Sequence, residues 1–101
     1  MKIPKRFKLF GRTITVEDDP RLIDKEDWQG MTNYRQSKIV LQPSKGENIN
    51  RAPQDKEMTF FHELVHWIYY VMEEHELGKN EKHVEIFSQL LYQALITMEY
   101  K

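Results

Sequence analysis

Between Pro53 and Gly78 the chain carries Phe60, Phe61, Leu64, Val65, Ile68, Val71 and Met72 at intervals of three and four residues or side by side. That spacing predicts a helix with a wide apolar face, and such a face must be covered by other parts of the same fold. Pro53 is preorganised for a first turn, Asp55 and Glu57 suit the positive end of the helix dipole, and Gly78 is the expected stop. A second stripe, Val84, Phe87, Leu91, Ala94, Leu95 and Met98, predicts another helix running from Asn80 as N-cap to about Tyr100. The short link through Leu77, Gly78 and Lys79 implies antiparallel or strongly angled packing, which sets the start of the second helix beside the end of the first.

Upstream of Pro53 the period changes. Phe7-Lys8-Leu9 and Ile14-Thr15-Val16 alternate apolar with polar, as half-buried strands do, with a hairpin or bend at Gly11 and a stop at Asp18-Asp19-Pro20. Arg21 to Trp28 reads as a short helical turn or loop. Gly30 to Leu41 reads as two strands turning near Gln36-Ser37, ended by Gln42-Pro43, and Ser44 to Asn48 as a polar loop. The expectation is one α+β domain over residues 1–101, β-rich over 1–52 and helical over 53–101. Its small mixed or antiparallel sheet of about three strands would pack on two long helices.

Composition narrows the partners. A chain of 101 residues has room for one modest core, and 40% hydrophobic with 31% charged residues is ordinary for a globular domain. A formal net charge of -1 provides no global positive field, so neither nucleic acid nor an anionic membrane is an expected partner. Lys2, Lys5, Arg6, Lys8 and Arg12 read as a solvated strand face. No apolar run follows the basic start, so it does not read as a secretion signal, and a cytoplasmic location is the default expectation. Without cysteine, any bound metal must rest on histidines and carboxylates.

The first predicted helix contains His62-Glu63-Leu64-Val65-His66, a His-Glu-x-x-His motif. Residues four apart share a helix face, so both imidazoles can address one zinc ion while Glu63 projects beside it toward a water. A catalytic zinc site takes three protein ligands and leaves a position for water. At the opening of the second helix Glu81, His83 and Glu85 are all eligible as the third. Glu81 and Glu85 lie one turn apart on one face, so one can reach the metal while the other orients an imidazole. His83 points elsewhere and is the fallback.

The motif followed by a helix opening Asn-Glu-x-x-x-acid-Ile-Phe, here Asn80 to Phe87, resembles the gluzincin zinc metallopeptidases. The strand pair Gly30, Thr32, Tyr34 and Ile39, Leu41 adds a resemblance to their ImmA/IrrE-type and minimal single-domain members, the minigluzincins. The resemblance covers about residues 30 to 98. It implies a minimal zincin-like fold, His62, His66 and Glu81 as zinc ligands, and Glu85 as acceptor of a hydrogen bond from a ligand histidine, where that group has Asp or Asn. It also implies a peptide or protein substrate stretched along the Lys38 to Gln42 strand at the cleft edge.

The chemistry expected is amide hydrolysis by a zinc-bound water, with Glu63 as general base and then acid. Tyr69, Tyr70, His75, His83 and Tyr92 are chemically eligible to stabilise an oxyanion, and nothing in the sequence selects one. Two other functions fit the same residues: a zinc-stabilised interaction module without catalysis, and a metal-free adaptor gripping a partner through Trp67, Tyr69 and Tyr70. Those aromatics suit a core better.

Overall fold

The computed structural model describes residues 2–24, 29–46 and 49–100. Strands β1 (Arg6–Leu9) and β2 (Arg12–Asp18) form the expected hairpin at Gly11, pairing Phe7 with Ile14. A 3-10 turn over Pro20–Asp24 follows; the rest of the segment expected as a turn or loop, Lys25 to Trp28, lies outside the described residues. β3 (Gly30–Asn33) and β4 (Lys38–Leu41) pair antiparallel, Met31 opposite Val40. β4 also pairs in parallel with β2, Val16 opposite Ile39, which joins the two hairpins into one mixed sheet of order β1-β2-β4-β3.

The sheet therefore has four strands where about three were expected. It also places β4 in the interior, with Ile39, Val40 and Leu41 no more than 6% exposed. Such a strand, covered on both faces and paired on both edges, reads as a continuous apolar run. The expected polar loop at Ser44 holds a small ladder: β5 (Lys45–Gly46) pairs with β6 (Ile49–Asn50), Ile49 being buried, while Glu47 and Asn48 lie outside the described residues.

Helix α1 (Pro53–Val71) starts with Pro53 in the first turn as expected. It ends seven residues before Gly78, because Glu73 takes the left-handed conformation at φ 61 and closes the helix. The Glu74 N–H donates to the Tyr69 carbonyl at 2.9 Å and the Glu73 N–H to the Tyr70 carbonyl at 3.1 Å, the paired bonds of a Schellman ending. A short helix α2 (His75–Lys79) then turns the chain. Gly78 serves close packing instead of ending a helix, since a Cβ there would meet the Tyr69 Cβ at 3.3 Å.

Asn80 caps α3 (Glu81–Thr97) as expected, its Oδ1 accepting the His83 N–H at 3.0 Å. The buried stripe of α3 is rotated from the expected one: Val84, Ser88 and Tyr92 are buried, whereas Phe87, Leu95 and Met98 are 45%, 42% and 51% exposed. Ser88 brings α3 close to its neighbour, and its hydroxyl bonds back to the Glu85 carbonyl at 3.0 Å, so its burial leaves no donor stranded.

α1 lies between the sheet and α3. Its Phe60 and Trp67 join Ile14, Ile39 and Leu41, while Val65 and Tyr69 meet Val84 of α3. Trp67 is fully buried and Tyr69 is 9% exposed, so both are core residues, and Tyr70 stacks on Tyr34 at 4.0 Å between ring centroids. The basic residues near the start, Lys2, Lys5, Arg6, Lys8 and Arg12, are all exposed as expected, and the Arg12 guanidinium also lies 5.5 Å from the Trp67 ring. Among the described residues no helix is long and apolar enough to cross a membrane.

Candidate metal centre

One turn of α1 sets His62 and His66 on a common face, their Nε2 atoms 3.3 Å apart. The antiparallel approach of α3 brings Glu81, its first residue, onto the same point. Glu81 Oε2 is 3.2 Å from His62 Nε2 and Oε1 is 3.2 Å from His66 Nε2. Two imidazoles and one carboxylate are a zinc donor set, and bonds of about 2.0–2.1 Å in tetrahedral array separate donor atoms by about 3.3 Å. The spacings lie near that edge length, the two to Glu81 being made by different oxygens of its carboxylate, so the donor set suits the ion. His62, His66 and Glu81 are the one such group among the described residues.

Glu85, one turn further along α3, places Oε2 2.7 Å from His62 Nδ1. Accepting a hydrogen bond there would fix the imidazole with Nδ1 protonated and direct the Nε2 lone pair toward Glu81 and His66. His83 is carried away from this point. Its Nε2 is 2.7 Å from the Tyr69 hydroxyl and its ring stacks on Phe87, so of the three eligible third donors the structure brings Glu81 to the histidines.

Glu63 is only 7% exposed, although one edge of it lines the cleft. The Thr32 hydroxyl, from β3, donates to Glu63 Oε1 at 2.8 Å. Burial pushes the Glu63 carboxyl above its ordinary value, opposed by that hydrogen bond and by the neighbouring histidines. Gly30, also on β3, permits the close approach: a Cβ there would stand 2.6 Å from Thr59 Cγ2 and 3.5 Å from Glu63 Cγ. The resemblance singles out Gly30 and Thr32 as part of a strand pair but gives them no contact with Glu63, because their partners lie about thirty residues away and only the sheet-to-helix packing joins them.

These residues open onto a cleft of about 670 Å³, walled by Met31 of β3 and by Met58 and Asp55 of α1. The strand bordering it is not Lys38 to Gln42, as expected, but β3, since β4 is interior and β3 is the outer strand of the sheet. None of the eligible oxyanion donors borders the cleft. Tyr69 is bonded to His83, Tyr70 is stacked on Tyr34, Tyr92 donates to Glu57 Oε2 at 3.2 Å, and His75 packs against Tyr70.

Compared with known proteins, the chain matches no family model, no curated protein and no solved structure.

Proposed function

We propose that the chain is a zinc-dependent peptidase built as a minimal zincin-like domain. The observation that carries this reading is the convergence of His62 Nε2, His66 Nε2 and the Glu81 carboxylate on one point beside a buried glutamate. His62, His66 and Glu81 would hold the zinc ion, which would supply Lewis acidity to polarise a carbonyl oxygen and acidify water. Glu63, raised by burial and steadied by Thr32, takes a proton from water and passes it to the departing amine. An extended peptide pairs with the outer edge of β3 and lays its side chains along Met31 and Met58.

The second reading is a zinc-stabilised module without catalysis, favoured by one observation: none of the eligible Tyr and His donors borders the cleft. Against it stands Glu63, which a structural zinc site does not require. The two separate when the Glu63→Gln variant and the parent, both loaded with zinc, are assayed on a mixed peptide library by mass spectrometry. Cleavage is expected to fall at least about 100-fold while zinc content and helical circular dichroism stay at parent levels. Equal cleavage by both proteins removes Glu63 from the chemistry, and no cleavage by either favours the module.

A further inference from the structure

The cleft over the metal centre is locally acidic in a chain whose formal net charge is only -1. Asp55, Glu63, Glu81 and Glu85 border it, and no lysine or arginine does. The two positive charges of a zinc ion would leave half of that carboxylate charge uncompensated, so the cleft attracts cations and repels anions. Three of the four carboxylates have tasks at the metal centre: Glu81 and Glu85 face His62, and Glu63 is buried against Thr32. Asp55 is the fourth, and nothing in the metal centre uses it.

Asp55 stands in the first turn of α1, on the stripe that continues through Met58 to His62 and His66 at spacings of three, four and four. Two turns of helix separate it from His62, about 10 Å along the axis. Its side chain is exposed. The cation next in sequence is engaged elsewhere, since Lys56 Nζ lies 2.8 Å from Asp18 Oδ2. Arg51 is within electrostatic reach of Asp55, but its guanidinium donates to Thr59 Oγ1 at 3.0 Å and to Gln42 Oε1 at 3.3 Å, so it offsets only part of the Asp55 charge. Among the described residues no Lys or Arg nitrogen comes within ion-pair distance of the Asp55 carboxylate. Asp55 also cancels the positive end of the α1 dipole, which would otherwise repel a cation at this end of the cleft. Between Asp55 and the metal centre lies the partly buried Met58. An apolar floor that ends in an exposed carboxylate matches a side chain with an aliphatic stem and a cationic head.

We propose that the substrates are basic peptides, in which a Lys or Arg within two residues of the scissile bond lays its stem on Met58 and its cationic head beside Asp55. The proposal rests on the peptidase reading and adds Asp55 to it as a specificity-determining residue. The test compares zinc-loaded parent and Asp55→Asn on synthetic peptides built around a bond that the parent cleaves in the mixed library. At each of the two positions on either side of that bond, Arg is exchanged for citrulline and Lys for norleucine, which keep the stem and remove the charge. At one of these positions the parent is expected to favour the charged member about 10-fold in kcat/KM, with the difference mainly in KM. Asp55→Asn is expected to reduce that ratio below about threefold while zinc content and helical circular dichroism stay at parent levels. Asp55→Lys is expected to favour Glu over Gln at the same position, and added salt to shrink the ratio in the parent. Cleavage by the parent with no preference for Arg and Lys, or a preference that Asp55→Asn leaves intact, overturns the proposal and leaves the peptidase reading standing. No cleavage of any peptide by the parent removes the peptidase reading itself, and the proposal with it.

Discussion

His62 is approached by two carboxylates of α3 with different tasks. Glu81 meets Nε2 at 3.2 Å, the position of a ligand under the proposed zinc reading, and Glu85 meets Nδ1 at 2.7 Å, where it would set the tautomer. Their one-turn spacing placed both on one helix face in the sequence, but which of them meets Nε2 followed only from the resemblance to gluzincins. Glu85→Ala is therefore expected to weaken zinc binding about 10- to 100-fold, measured by competition with a chromophoric chelator, while Glu85→Gln, which keeps an acceptor oxygen, retains most of the affinity. Thr32 and Gly30 stood out in the sequence only as part of a strand pair, and their role was not legible, since what gives it is the distance from β3 to Glu63. Tyr34 illustrates the same point from the other side of α1. Its hydroxyl reaches the His66 carbonyl at 3.5 Å, and burial first, then the negative charge of Glu63, pushes its pKa up to about 12. The unfolded value is about 10, so the stability this group contributes is full below about pH 10 and is lost as pH rises toward 12. Urea midpoints are expected to fall across that window in the parent and to fall less in Tyr34→Phe; equal slopes would remove Tyr34 from the alkaline transition.

The elements themselves were mostly readable, and the errors have local physical causes. Periodicity located α1 and α3, but Glu73 ends α1 in a conformation that glycine usually supplies, so the later Gly78 drew the expected boundary too far. A side chain at φ 61 carries a strain that glycine lacks. Glu73→Gly is expected to stabilise the fold by about 1 kcal/mol, read as a higher urea midpoint at unchanged slope, and a lower midpoint would mean that the Glu73 side chain makes contacts outweighing the strain. In α3 the apolar residues cover more than half the circumference, so a three-and-four pattern could be drawn through either side. Ser88 decided the matter, because a small residue lets α3 seat against α1, and sequence periodicity gives a serine no weight. For β4 the run Ile39-Val40-Leu41 signalled burial, but its parallel partner β2 is more than twenty residues upstream, beyond any turn signal.

Across the whole molecule the core divides along α1, with the larger cluster on the sheet side and Val65, Tyr69 and Val84 joining α1 to α3. Tyr92 of α3 also reaches the larger cluster through Phe61, and the junction of the two helices is the one that His62, His66 and Glu81 straddle. Under the proposed zinc reading, a metal held by ligands from both helices would act as a further set of contacts there, and its binding energy would add to folding energy, since the unfolded chain does not assemble the donors. Free zinc at 100 times its dissociation constant should add about 2.7 kcal/mol. For a chain of 101 residues each kcal/mol corresponds to about 4–8 °C, so the thermal midpoint should rise by about 10–20 °C between chelated and zinc-loaded protein. Glu81→Gln should lose most of that rise because it weakens the only α3 donor to the ion, whereas Glu63→Gln should keep it, since Glu63 is not among the converging ligand atoms. A midpoint indifferent to chelation in the parent would mean that the three donors converge on each other, by hydrogen bonds alone, and not on a cation.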